Sequence, residues 1–172
     1  MSKKLLVQDS HRNEEWLIEL LSTIWYEHFL DIQQLNDVQI VYGQKARRRL
    51  GSLKLDKDGV TSVITINSIY QDLDVPEEIV KATIVHEMTH YAHGFNSPLK
   101  QKQKHPHSGG VIRKEFAERG LEELYLYQQK WLKENWSAVV NKYYTAEELT
   151  RRPRRRPNNK IAIRMPWWMG RI

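Results

Sequence analysis

The chain contains no cysteine. That absence excludes a disulfide framework and any thiolate-held zinc ribbon or finger, so a bound metal would have to rest on nitrogen and oxygen ligands. No apolar run reaches the roughly 20 residues a membrane span needs. The opening MSKKLLVQDSHRNEE lacks the apolar stretch of a signal peptide. The expectation is a soluble, cytoplasmic protein with no membrane partner. Acids are missing from residues 151–172, which hold eight of the 27 Lys and Arg; the other 150 residues keep 19 bases against 21 acids, a net of −2. The formal +6 is therefore a property of the C-terminal tail, on a body close to neutral. At 172 residues the chain can bury one real core.

Apolar residues at helical spacing run through 13–30, from Trp16, Leu17 and Leu20 to Leu21, Ile24, Trp25 and Phe29, and predict a first helix. Three short strand-like runs follow: Val38–Tyr42, β-branched and aromatic; Leu50–Leu55, with Leu50, Leu53 and Leu55 alternating imperfectly; and Thr61–Ile66, alternating Val/Ile with Thr. The D-K-D-G of Asp56–Gly59 is a hairpin turn between the second and third. A further helix is expected over about 75–93. Asp74 and Glu77 are spaced as a capping box, Pro76 is tolerated in the first turn, and Gly94 is placed to stop the helix. Residues 94–110 read as a polar loop, and 111–143 as mostly helical with Gly120 marking a break or a close packing point. The expected fold class is α+β: an N-terminal helix, a small antiparallel sheet, the 75–93 helix, then C-terminal helices.

That third-quarter helix carries His86-Glu87-Met88-Thr89-His90. Positions i and i+4 lie on one helical face, so His86 and His90 can present two imidazoles to one cation. Glu87, one residue on, reaches the edge of such a site without being a ligand, where a carboxylate can take a proton from an activated water. The surrounding residues are apolar over much of the girth, which predicts burial. Two histidines and a glutamate on a buried helix are costly unless something satisfies them. A catalytic zinc needs a third protein ligand, and four candidates stand downstream. His93 is on the same helix face, but ligands in a straight row surround a metal poorly. His105 and His107 follow the polar loop, and Glu115 lies beyond them. His107 is favoured because Ser108-Gly109-Gly110 allows close backbone approach before a new helix.

HEMTHYAHG at 86–94 followed by PHSGGVIRKEF at 106–116 resembles the SprT-like zinc metallopeptidase family, which includes bacterial SprT proteins and the DNA-repair protease Spartan. The likeness extends over about residues 12–135, with RRRLGSL at 47–53 and VITIN at 63–67 similar to the strand pair before the metal helix. It implies a zincin-like domain over 1–147, zinc held by His86, His90 and His107, and Glu87 as general base in peptide hydrolysis. Pro106-His107 matches the family's His-Gly element and Phe116 its following aromatic. Ser-Gly-Gly stands where one Gly is usual, and the cysteine-based C-terminal zinc element of some relatives is replaced by an Arg/Pro tail at 148–172.

The tail suggests a second partner beside a protein or peptide substrate. Arg151, Arg152, Arg154, Arg155 and Arg156, spaced by prolines, could track the phosphates of DNA or RNA, and Trp167 and Trp168 would pack, dock or stack. Arg47–Arg49 and Lys100–Lys104 could extend a cationic surface. Tyr91, His105 and Arg113 are candidate donors to a developing oxyanion. The rival to an enzyme is a nucleic-acid-binding or scaffold protein with a structural or vestigial zinc site; Glu87 speaks for the enzyme, since a purely structural site has no use for it.

Overall fold

The fold is seen in a computed structural model that describes residues 12–150. Helix α1 spans Glu14–His28. Its first turn is closed by Asn13, whose side chain accepts the Trp16 N–H at 2.8 Å, one of the donors a helix start leaves unpaired. Leu17, Leu20, Leu21 and Ile24 form its buried stripe, the spacing read from the sequence. Strands β1 (Val38–Tyr42), β2 (Gly51–Leu55) and β3 (Ser62–Ile66) make one sheet in the order β1-β3-β2.

The α+β layout is as expected, but the sheet is mixed rather than wholly antiparallel. β2 and β3 form the anticipated antiparallel hairpin, whereas β1 pairs with β3 in parallel, Val38 opposite Ser62 through Tyr42 opposite Ile66. The physical reason lies in β3. Its residues Ser62, Ile64 and Ile66 are all buried, and a central position lets both edges of this strand hydrogen-bond. The chain leaves β1, passes the vacant centre to lay down β2, then turns back into it. Ile40, Ile64 and Leu53 sit side by side across the three strands on the buried face. The hairpin turn is tied by Asp58, whose carboxylate accepts from the Val60 and Thr61 N–H groups.

Helix α2 spans Glu77–Ala92 and is buried along almost its whole length, packed on α1, β2, β3 and the two helices that follow it. The capping box does not form. Pro76 takes the N-cap position without a side-chain bond, and Asp74 instead pairs with Lys142. Glu77 and Glu78 in the first turn complement the positive helix end. At the other end the Gly94 N–H bonds the Tyr91 carbonyl at 3.0 Å and the Phe95 N–H bonds the His90 carbonyl at 3.0 Å, a Schellman closure. Gly94 sits at φ 77°.

Helices α3 (Val111–Glu118) and α4 (Glu122–Asn141) are separated at Gly120, as its composition suggested. A short helix α5, Ala146–Thr150, ends the described residues and straddles the 147/148 boundary expected for the domain; Leu149 in it packs on the core. The run Arg151, Arg152, Arg154, Arg155 and Arg156, with Trp167 and Trp168, lies outside the described residues. No helix among the described residues is long and apolar enough to cross a membrane.

Gly94 and Gly120 both have positive φ, but their surroundings differ. A Cβ at Gly94 would come within 2.6 Å of the Gln101 backbone, while one at Gly120 would meet nothing within 4 Å. Gly120→Ala should therefore cost only the left-handed penalty of about 1–2 kcal/mol. Gly94→Ala should cost clearly more, because the loop must also move. Urea unfolding of both variants checks the order; equal losses would contradict it.

Candidate metal centre

One turn of α2 separates His86 from His90, and their ring centroids lie 4.8 Å apart. The loop after α2 brings His107 back to them, with centroids 5.3 Å from His86 and 4.7 Å from His90. One ligand nitrogen from each ring falls within 4.8 Å of the others. Loop residue His107 is exposed, whereas His90 is 8 % exposed, so the cluster is rooted in the core and opens to solvent on the His107 side.

Several contacts aim the loop. The Schellman turn directs the chain out of α2 beside the edge of the His90 ring, where Phe95 lies 6.2 Å away. His93, weighed above as a ligand, has another job. Gln103 Nε2 donates to its Nδ1 at 3.2 Å. An amide nitrogen only donates, so Nε2 carries the ring proton and gives it to Glu115 Oε2 at 2.8 Å. The His93 carbonyl accepts the Lys102 N–H at 3.0 Å. Both contacts hold the strand of loop that leads to His107. Glu115 is in turn gripped by Arg119 at 2.6 Å, and Arg119 reaches Asp31 at 2.7 Å on the α1 side. Burial alone would raise the Glu115 pKa, but the bonds from His93 and Arg119 outweigh it and keep the carboxyl below its ordinary value. This buried network accounts for both His93 and Glu115 without a metal.

Electrostatics prepare the cluster for a cation. Burial first, then the neighbouring His107, pushes His86 down to about 4. Burial, then His86, His107 and His93, pushes His90 down to about 3. Neutral imidazole is the form that ligates. The buried Nδ1 of His90 has no hydrogen-bond partner among the described residues, a cost that ordinary folding avoids. Three rings with converging nitrogens, those of His86 and His90 held neutral, and an unpartnered buried nitrogen fit a borderline cation such as zinc.

Glu87 is 5 % exposed. Burial raises its pKa to about 7, against the opposing pull of a bond from the Leu53 backbone N–H. Hairpin bonds from Asp56 N–H to Thr61 O and from Asn67 N–H to Leu50 O set the alternation of the ladder. It leaves Gly51, Leu53 and Leu55 with their backbone groups on the outer edge of β2. Leu53 spends its groups there on Glu87 and on Asn96, whose Nδ2 donates to the Leu53 carbonyl at 3.1 Å. Gly51 keeps the contact open, since a Cβ there would lie 2.9 Å from Glu87 Oε1.

A cleft of about 510 Å³ opens on this spot, between the 48–51 segment, α2 and α4. Under it, Thr83 gives its hydroxyl proton to the Ile79 carbonyl at 2.9 Å and accepts from Gln128 Nε2 at 3.0 Å and from the Tyr70 hydroxyl at 3.1 Å. Nothing in the sequence pattern marked Gln128 or Thr83; only the packing of α4 on α2 brings them together. Two of the expected oxyanion donors are engaged elsewhere. Tyr91 donates to Asn36 Oδ1 at 2.9 Å, Arg113 is tied to Glu122, and His105 is exposed. Phe116 is fully buried against Tyr125.

These shifts have opposite consequences for the metal-free protein. An unfolded histidine takes its proton near 6.5, but folded His86 and His90 wait until about 4 and about 3. The unfolded state therefore binds more protons in that window, and stability falls as pH drops through it. Glu87 titrates at about 7 when folded and near 4.5 when unfolded, so its contribution is lost as pH rises from 4.5 through 7. Glu87→Gln should stabilise chelator-treated protein at about pH 8 and change it much less at about pH 5; urea titrations at the two pH values read this directly. In comparisons with protein-family models, with curated proteins and with solved structures, the chain matched none.

Proposed function

We propose that this protein is a zinc-dependent peptidase-like hydrolase of the SprT-like kind, with His86, His90 and His107 as the metal-holding residues and Glu87 as the general base. The observation that carries the reading is the return of His107 to the His86–His90 pair, beside a carboxyl whose pKa is raised to about 7. A site that only held structure together would gain nothing from that carboxyl. Bound at the three imidazoles, zinc would lower the pKa of a coordinated water to ~7 and polarise the scissile carbonyl.

The chain's own residues supply the rest. Glu87, poised near neutrality, takes a proton from the attacking water and returns it to the leaving amine. The Leu53 N–H holds the carboxylate in place, and the absent side chain at Gly51 leaves room at Oε1. Among the described residues nothing pairs with the backbone groups of Gly51 on the outer edge of β2, and an extended peptide added there would give main-chain recognition with little demand on sequence. Polypeptide is thus the substrate class.

Purified protein should carry zinc in stoichiometric amount. His86→Ala, His90→Ala and His107→Ala should each weaken that binding, whereas His105→Ala should retain it. Glu87→Gln should keep the metal and lose about 10²–10⁴-fold in hydrolysis of a denatured casein substrate. Zinc retained in full by His107→Ala, or undiminished hydrolysis by Glu87→Gln, would refute the assignment.

A further inference from the structure

The rim of the cleft holds two charges that the chemistry above does not use. Arg48 and Arg49 line it together with His86 and Glu87. Both arginines are exposed, and neither guanidinium has a hydrogen-bond or ion-pair partner among the described residues. Among the described residues, they are the only Lys or Arg side chains that line this space.

They are not carried on a loose loop. Asn67, 4 % exposed, donates from Nδ2 to the carbonyls of Ala46 at 2.7 Å and Arg49 at 2.9 Å, and accepts the Ala46 N–H at 3.3 Å. Trp136 Nε1 donates to the Arg47 carbonyl at 2.9 Å. The neighbouring cations are already spent on the body: Arg47 donates to the Glu148 carbonyl at 2.9 Å and Lys45 to the Tyr143 carbonyl at 2.8 Å. A backbone pinned from beneath by a buried amide and an indole thus presents two unspent guanidiniums beside the metal-site residues.

We propose that Arg48 and Arg49 form a subsite for carboxylate side chains, so that the preferred substrates are acidic polypeptides. The proposal rests on the peptidase-like reading and names its substrate class. Guanidinium and carboxylate match as planar, two-point partners. A peptide lying along the Gly51 edge of β2 would carry its side chains past Glu87 to the two arginines. Nucleic acid fits less well: among the described residues no Phe, Tyr or Trp lines the cleft, and single-stranded recognition leans on aromatic stacking platforms.

The test reads binding without turnover. The full chain carrying Glu87→Gln is titrated against fluorescein-labelled decapeptides of alternating Ala and Glu, or of alternating Ala and Gln, and against a labelled oligo-dT, by anisotropy at low salt. The Glu peptide should bind about tenfold tighter than the Gln peptide, with the margin shrinking as salt rises. Arg48→Gln/Arg49→Gln, at two exposed positions, should keep the melting temperature and erase the margin even though the arginines at 151–156 remain. Equal or undetectable binding of the two peptides overturns the proposal. So does a Glu preference that survives the double variant, which would place it in the tail. Tighter oligo-dT binding that the double variant abolishes assigns the arginines to nucleic acid instead. Because no cleavage is read, failure here is separable from failure of the zinc and hydrolysis tests.

Discussion

Helix α2 is buried on nearly every side while carrying two imidazoles and a carboxyl, and desolvation of those three groups governs the rest of the structure. Water is kept from them by α1, the sheet and the C-terminal helices. Burial holds His86 and His90 neutral far below their ordinary range and holds Glu87 protonated up to about 7. For Glu87 the shift corresponds to roughly 3 kcal/mol favouring the protonated form. The bond from Leu53 opposes it and loses. A core that only needed to be stable would place Leu or Ile at these positions. This one keeps groups whose natural compensation is a cation and a mobile proton.

The third imidazole belongs to a loop, and a loop histidine is useful to a metal only if its position is settled beforehand. Here the settlement begins inside α2. The helix ends on a Schellman turn that needs Gly94, whose bare Cα lets the Gln101 backbone pass close by. His93 then bonds the returning loop through its carbonyl and its Nδ1, and is itself anchored through Glu115 and Arg119 to Asp31. The ion pairs are buried at one end and exposed at the other, an arrangement that contributes more to geometry than to net stability. Its effect is to turn a long polar segment into a bracket for His107.

The sheet contributes an edge. Because β3 takes the centre, β2 is left on the outside, next to Glu87. The same arrangement lets Asn67, at the end of β3, reach back and pin the segment carrying Arg48 and Arg49. Strand order, buried carboxyl and cationic rim are therefore one construction, with the small residue Gly51 at the point where they meet.

Much of this was legible in the residues alone, because it depends on periodicity and local turn chemistry. The stripe Leu17, Leu20, Leu21, Ile24, the Asp58-Gly59 hairpin, the stop at Gly94 and the break at Gly120 are set by backbone sterics and near neighbours. So is the stacking of His86 over His90, which a 3.6-residue turn imposes. What tertiary structure decided is what depends on segments distant in the chain. Parallel pairing of β1 could not be read, since strand patterns carry no direction. Asp74 could not be known to prefer Lys142 over a capping role, nor His93 to prefer Glu115 and Gln103 over a metal. The company that His107, Arg48 and Gln128 keep is likewise fixed by how α3 and α4 pack on α2. Local sequence determines which groups a helix or turn presents; only the closing of the core determines which of them lose water together, and that loss is what makes a site.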